Sequence, residues 1–129
     1  MVTAVTTKGI GDAAEARAWR HLQRHGLTLV ERNYRVARGP RSRGAEVDLI
    51  AREPDGTLVF VEVRARRSAD FGGAAASVTT AKQRRIVLAA QHFLRRFAAP
   101  PACRFDVVAI DGTGSGAVVT VYRGAFEVA

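Results

Sequence analysis

The order of apolar and polar residues along the chain predicts two helices. Asp12 with Glu15, and Thr80 with Gln83, have the spacing of a capping box, in which two side chains satisfy free N–H groups at the start of a helix. The predicted helices cover residues 11–25 and 80–97. The second helix carries an apolar stripe at intervals of three and four residues. This stripe consists of Ile86, Ala89, Ala90, Phe93 and Phe97.

Five short segments rich in β-branched and large apolar residues predict strands. They cover residues 27–35, 46–51, 58–64, 105–110 and 117–122. The turn at residues 53–57 and the glycine-rich segment 111–116 each predict an antiparallel hairpin. The order helix, three strands, helix, two strands predicts an α/β fold, a mixed central sheet flanked by helices. We expect residues 1–10 to be a flexible tail and residues 11–129 to form a single domain.

The composition narrows the class of protein. The chain has 129 residues, of which 47% are hydrophobic and 25% charged, as in an ordinary globular domain. No apolar segment approaches the roughly 20 residues of a membrane helix, and residues 1–8 lack the apolar block that is typical of a secretory signal. Cys103 is the only cysteine, so neither an internal disulfide nor a cysteine-based zinc site is expected. We therefore expect a cytoplasmic protein without membrane contact.

The charge points to an anionic partner. Twenty basic residues stand against 12 acidic ones, a net charge of +8, and Lys8 and Lys82 are the only lysines. Arginine forks match phosphate geometry, so we expect nucleic acid as the partner, DNA more than RNA, although solvated surface charge would give the same count. The arginine-rich segment 32–43 is either a phosphate-contacting arm or a solvated loop. The candidate nucleic-acid contacts are Arg35, Arg38, Arg41, Arg43, Arg66, Arg67 and Arg85.

Two acids on neighbouring strands are candidate metal ligands. Because side chains alternate along a strand, Glu62 shares a face with Phe60 and Arg64. A hairpin centred on Asp55 pairs residues whose numbers sum to 110, which places Asp48 opposite Glu62. Two facing carboxylates repel, and a shared proton, a neighbouring cation or a bound divalent ion would relieve the repulsion. A site rich in oxygen ligands suits Mg²⁺ or Mn²⁺.

Three further residues can join this pair. Glu15 lies on the same predicted helix face as Ala18 and Leu22, so its carboxylate either points inward or serves only as a cap. Arg64 can hold a phosphate or balance the acids, but it does not readily lose a proton to act as a base. Lys82 falls on the core stripe of the second helix, where it either reaches over the sheet or extends to solvent.

Several segments together resemble the uncharacterised bacterial YraN-like family. The likeness extends over almost the whole chain, from about Gly11 to Phe126. It is carried by Ala14-Glu15 with Ala18 and Leu22, residues 46–51 (EVDLIA), residues 59–64 (VFVEVR), Val78 with Lys82 and Arg85, residues 104–108 (RFDVV), and Ala125-Phe126. The family usually has Glu-Val-Lys where this chain has Glu62-Val63-Arg64. It also has glycine directly before the glutamate at 46, where this chain has Ala45.

The resemblance implies a restriction-endonuclease-like fold with a PD-(D/E)xK nuclease motif. Carried over residue by residue, it makes Asp48 and Glu62 metal ligands and Glu15 an accessory acid, and Arg64 occupies the position of the motif's lysine. A likeness of fold does not by itself establish activity.

The leading hypothesis is a metal-dependent endonuclease. Mg²⁺ or Mn²⁺ would be held by Asp48 and Glu62, and Lys82 would replace the missing lysine. The five candidate catalytic residues are Glu15, Asp48, Glu62, Arg64 and Lys82. The alternative is a nucleic-acid-binding module of the same fold that has lost its chemistry, which Arg64 would favour. A two-carboxylate glycosidase is disfavoured because Trp19 is the only tryptophan. A homodimer is a further possibility.

Overall fold

The computed structural model of the chain describes residues 7–37, 39–40, 44–67 and 77–127. Two helices and five strands follow one another in the predicted order, which confirms the α/β fold. They are α1 (Thr7–Arg24), β1 (Thr28–Val36), β2 (Ala45–Arg52), β3 (Leu58–Arg66), α2 (Thr80–Leu94), β4 (Cys103–Asp111) and β5 (Val118–Phe126). Within these ranges, neither helix combines the length and the continuous hydropathy needed to span a bilayer.

The five strands form one mixed sheet in the order β1-β2-β3-β4-β5. Neighbouring strands are antiparallel, except that β3 and β4 are parallel. Parallel neighbours need a crossover connection, and α2 lies within that connection. Both predicted hairpins are present, since β2 pairs with β3 and β4 pairs with β5 in the antiparallel sense.

Each face of the sheet packs against one helix. On the α1 face, Ala18 and Leu22 pack with buried residues of β2, β3 and β4 that include Leu49 and Val61. On the α2 face, the predicted apolar stripe packs against Leu58, Phe60, Phe105 and Val107. Ile86, Ala89, Ala90 and Phe93 of the stripe are buried, and Phe97 is partly buried beyond the end of the helix. The sheet is therefore covered on both faces, so a polar side chain at its centre is taken out of water.

The helix boundaries correct the predicted caps. Because α1 begins at Thr7, Asp12 lies inside the helix, and the capping box of Asp12 with Glu15 is wrong. Residues 7–10 of the predicted tail belong to α1, and residues 1–6 lie outside the described part of the chain.

The predicted cap of α2 is displaced by one residue. The N-cap is Thr79, whose extended backbone lets its side chain accept a hydrogen bond from Lys82 N at 3.2 Å. Thr79 and Thr80 are adjacent threonines, so the sequence pattern alone does not separate them. Gln83 does not close a box, and its side chain donates instead to Val78 O at 3.3 Å. The helix also ends at Leu94, before the predicted end at Phe97.

Thr79→Ala should destabilise the protein by about 1 kcal/mol, because it removes the side-chain acceptor at the N-cap of α2. Thr80→Ala, one residue later and also exposed, should cost no more than a few tenths of a kcal/mol. Urea unfolding of the two variants measures the difference. Equal losses would show that the Thr79 hydroxyl does not cap the helix.

Candidate active site

Asp48 and Glu62 lie one position beyond the last regular pair of β2 and β3. The pairing extends from Arg52 with Leu58 to Leu49 with Val61, so paired residue numbers sum to 110 as predicted from the turn. At the next position the hydrogen bond to β3 is made by a side chain. The Oδ2 of Asp48 accepts a hydrogen bond from Val63 N at 2.8 Å. Asp48 is therefore anchored to the backbone of β3 beside Glu62.

The regular alternation of side chains between the two faces of β2 is interrupted around Asp48. Val47 and Ile50 both pack in the α2-side cluster, whereas Leu49 and Ala51 pack in the α1-side cluster. Strict alternation would place residues three apart on opposite faces. The interruption places Asp48 where charges on both faces reach it, because it interacts electrostatically with Glu15 of α1 and with Lys82 of α2.

Glu62 is the most deeply buried of the candidate acids. Only 2% of its side chain is exposed, and its Oε1 lies 3.6 Å from Lys82 Nζ and 3.8 Å from Arg64 Nη1. Its Oε2 is buried and has no hydrogen-bond partner among the described residues. Burial, followed by the nearby charge of Asp48, raises the pKa of Glu62 to about 8 against the opposing effect of the two cations. Without a further cation, Glu62 holds a proton at neutral pH.

Burial also raises the pKa of Asp48, while the hydrogen bond from Val63 N and the charge of Lys82 lower it. Each of the two carboxyls also affects the pKa of the other. They therefore lie close enough to interact. Such a pair is stabilised by a shared proton or by a cation between its oxygens.

Glu15 approaches the pair from α1. The residue is 8% exposed, and its Oε2 is buried with no hydrogen-bond partner in the described ranges. Arg32 Nη2 lies 3.8 Å from this oxygen, too far for a hydrogen bond. Burial and then the charge of Asp48 raise the pKa of Glu15. Glu15 therefore lies on the buried face of α1. Of the two predicted alternatives, this is the one in which its carboxylate points inward.

Lys82 reaches over the sheet and does not extend to solvent. Its side chain is 15% exposed, and its Nζ donates to Glu46 Oε1 at 3.1 Å in addition to lying near Glu62. The role of Glu46 was missed by sequence reasoning, although the residue stands only two positions before Asp48. Its other oxygen, Oε2, lies 3.5 Å from Arg35 Nε. Glu46 thus orients both a buried and an exposed cation.

A cleft of about 740 Å³ opens beside Glu62, whose neighbours Arg64 and Lys82 form part of its wall. The Arg64 Nε donates to Ser77 Oγ at 2.8 Å, which fixes the guanidinium at this wall. The charged residues that line the cleft are Arg35, Arg64, Lys82, Arg85 and Glu46. Four cations against one acid make the cleft suited to an anion.

Two other predicted nucleic-acid contacts, both described by the structure, are not brought to this cleft. Arg66 is the last residue of β3 and Arg67 follows it, and neither lines the cleft. Arg38, Arg41 and Arg43 lie outside the described residues. Of the four predicted arginines that the structure describes, Arg35 and Arg85 line the cleft.

The YraN-like family has a glycine directly before the glutamate at position 46. In this chain the glycine stands one position earlier, at Gly44. A Cβ added to Gly44 would lie 2.8 Å from Val36 O, closer than real Cβ atoms approach a backbone oxygen. Ala45 is 1% exposed and packs in the α2-side core. The close approach of β1 and β2 at the cleft thus requires the glycine at position 44.

The donor set fits a hard divalent cation. No three His, Cys, Asp or Glu side chains within the described part of the chain form a cage that would hold a metal by themselves. Mg²⁺ is commonly held by one or two carboxylates, with water and substrate phosphate completing its shell. Asp48 and Glu62, with the unpartnered Oε2 of Glu62, provide such an incomplete oxygen set.

Comparison with known proteins identifies the family. The model of the family described as Uncharacterised protein family UPF0102 matches residues 14–110. A UPF0102 protein of Methylibium petroleiphilum is 66% identical over 108 residues, which cover 84% of this chain and 88% of that protein. One of Acidovorax sp. is 56% identical over 124 residues, covering 96% and 89%. The chain therefore belongs to UPF0102, and the resemblance to YraN-like proteins is confirmed. No solved structure matches it.

Glu62→Gln should remove a pH-dependent destabilisation. The pKa of Glu62 is about 8 in the folded chain against an ordinary value of 4.5, so between these values the folded state binds more protons and stability falls as pH rises. The glutamine lacks this titration. The variant should therefore gain stability relative to the wild type progressively from about pH 5 to pH 8, and by at least about 1 kcal/mol at pH 8.5.

Urea unfolding at several pH values in this interval checks the expectation. The matched control is Glu127→Gln, because Glu127 is exposed and its replacement should leave the pH dependence unchanged. A stability difference between Glu62→Gln and the wild type that is constant across the interval would contradict the raised pKa.

Proposed function

We propose that this protein is a metal-dependent nuclease that hydrolyses phosphodiester bonds in nucleic acid, DNA more than RNA, on a restriction-endonuclease-like scaffold. The observation that carries the proposal is the pair of half-buried Asp48 and buried Glu62, in which one Glu62 oxygen has no partner among the described residues. The pair lies next to Arg64 and Lys82, which line a cationic cleft. A buried carboxylate oxygen without a donor is costly, and a divalent cation would satisfy it. A nuclease needs this combination of acids for a metal and cations for phosphate.

Asp48 and Glu62 are the residues that would hold Mg²⁺ or Mn²⁺, with Glu15 as an additional acid. Such an ion supplies Lewis acidity: it lowers the pKa of a bound water and neutralises charge on a phosphate. The protein's own contribution is to keep both carboxylates at fixed positions. The bond from Val63 N holds Asp48, and the strand backbone with its packed neighbours holds Glu62.

The arginines of the cleft would bind the phosphate groups. Arg64 is held by Ser77 Oγ beside Glu62, so its fork is oriented before substrate arrives. Arg35 and Arg85 extend the cationic lining on either side. Contacts of this kind position the nucleic-acid backbone without reading sequence. The proposed substrate is therefore recognised mainly through its phosphates.

Lys82 would take the role of the lysine that the motif has at position 64. Its ammonium group lies 3.6 Å from Glu62 Oε1, on the wall of the cleft. A lysine can give up or accept a proton, whereas an arginine remains charged. Lys82 would thus hold or move a proton beside the reacting phosphate from α2, while Arg64 binds the phosphate.

The second candidate is a binding module of the same fold that does not cleave. Two observations favour it: arginine occupies position 64, and Lys82 is engaged with both Glu46 and Glu62. In that case the cluster is a stabilised network of charges, and the cationic cleft only retains nucleic acid.

A cleavage assay separates the two candidates. The protein is incubated with labelled single-stranded, duplex and branched DNA and RNA, with Mg²⁺, Mn²⁺ or a chelator. We expect cleavage that requires the metal and falls by about 100-fold or more in Glu62→Gln, whereas Glu127→Gln cleaves like the wild type. Salt-sensitive binding without cleavage, unchanged in Glu62→Gln, would overturn the nuclease proposal in favour of the binding module.

Two lysine–arginine exchanges test which residue handles the proton. Lys82→Arg keeps the charge between Glu46 and Glu62 but cannot readily release a proton, so kcat should fall by about 100-fold. Arg64→Lys restores the residue of the motif and should retain cleavage within about threefold. Single-turnover rates on folded protein, checked by circular dichroism, measure both. The reverse ranking would show that no proton passes through Lys82, which would then be a charge partner only, and that the guanidinium of Arg64 is needed for its charge and fork.

A further inference from the structure

The cationic cleft beside Glu62 continues into a second cavity. This cavity has a volume of about 210 Å³, and it has Val36 of β1 and Ala45 of β2 as walls in common with the cleft. Its other described wall residues belong to α2 and its C-cap, and they are Leu88, Gln91, His92 and Arg95. Because two wall residues are shared, the cleft and the second cavity form one continuous groove beside α2. We call it the α2 groove.

The α2 groove follows one flank of the helix. Four residues that line it are spaced three, four and three positions apart, which places them one above the other along a helix. They are Arg85, Leu88, His92 and Arg95. At 1.5 Å per residue, Arg85 and Arg95 are about 15 Å apart along the helix axis. One strand of a duplex has a phosphate about every 3.4 Å, so this distance corresponds to about four nucleotides.

The two arginines at the ends of this row are available to an anion. Among the described residues, neither Arg85 nor Arg95 forms an ion pair, and no acid lines the second cavity. The next residue, Arg96, differs. Its Nη1 lies 3.9 Å from Glu31 Oε2, and its guanidinium carbon lies 3.8 Å from the centre of the Phe93 ring. The positive charge of the groove is therefore carried by the arginines that have no acidic partner.

His92 provides a hydrogen-bond donor between the two arginines. Its Nδ1 is hydrogen-bonded to the hydroxyl group of Tyr34. We assign the phenol as the donor, which leaves the ring proton on Nε2, where a phosphate oxygen can accept it. The Tyr34 ring packs edge-on against Phe93 with 5.4 Å between ring centres, so the phenol that orients His92 is itself held in place.

We propose that the α2 groove binds the phosphate backbone of single-stranded nucleic acid leading away from the candidate active site, with Arg85, His92 and Arg95 as its contacts. This inference rests on the proposed function and adds the path of the substrate. A single row of donors suits one strand, because a duplex presents two rows of phosphates. Contacts to phosphate carry no sequence information, so binding along the groove should be independent of sequence.

The test is the salt dependence of binding to a labelled single-stranded oligothymidylate of about 12 nucleotides. Fluorescence anisotropy measures Kd, and a chelator prevents cleavage. Each phosphate contact contributes about 0.7 to the slope of log Kd against log salt for a single strand. Arg95→Gln should therefore lower this slope by about 0.7 and weaken binding by about threefold at low salt.

The matched control is Arg24→Gln. Arg24 is also an exposed arginine at the end of a helix, but it belongs to α1 on the opposite face of the sheet. The two variants change the net charge equally, and thermal unfolding checks that both are folded. Arg24→Gln should leave the salt slope unchanged. Equal effects of the two variants would show that only net charge matters and would overturn the groove as a binding path.

The outcomes separate this inference from the proposed function. Metal-dependent cleavage by the wild type, together with equal effects of Arg95→Gln and Arg24→Gln, would overturn the groove alone. Polyglutamate of equal charge that displaces the labelled strand as well as unlabelled oligothymidylate does would favour an acidic protein segment as the occupant and would also overturn the groove's assignment. A wild type that neither binds nor cleaves nucleic acid would overturn both proposals.

Discussion

The burial of Glu62 opposite Asp48, at the centre of a sheet covered on both faces, is the constraint on which the rest of the site depends. Two carboxyls removed from water are stable only with a proton or a cation nearby. The chain surrounds them accordingly: Lys82 and Arg64 lie within 4 Å of Glu62, and Val63 N donates to Asp48. Among the residues that the structure describes, one Glu62 oxygen is nevertheless left without a donor. This oxygen is the observation that most directly supports the proposed cation.

The topology explains how residues far apart in the sequence meet there. The β2–β3 hairpin aligns Asp48 with Glu62 through a turn of a few residues. The parallel pairing of β3 with β4 requires a crossover, and this crossover brings α2 and Lys82 over the same strands. α1 covers the opposite face and supplies Glu15. Because the alternation of side chains along β2 is interrupted around Asp48, the Asp48 carboxylate interacts with charged groups of both helices.

The sequence predicted the parts of the structure that local patterns determine. The turn around Asp55 set the register that aligns the two acids, and the spacing from Ile86 indicated that Lys82 lies on the core stripe. Other features depend on contacts between distant segments. The choice of Thr79 over Thr80 as a cap depends on backbone geometry, and the positive φ of Asn33 depends on how β1 meets β2. Neither leaves a pattern in a single sequence.

The most direct test of a cation site between Asp48 and Glu62 is an anomalous difference map from a crystal of the protein soaked in Mn²⁺. The account predicts one strong peak at ordinary oxygen-to-metal distance, about 2.0–2.6 Å, from carboxylate oxygens of both residues. The Glu62 oxygen that lacks a donor should be among its ligands. An empty position between these carboxylates at saturating Mn²⁺, with both side chains ordered, would contradict it.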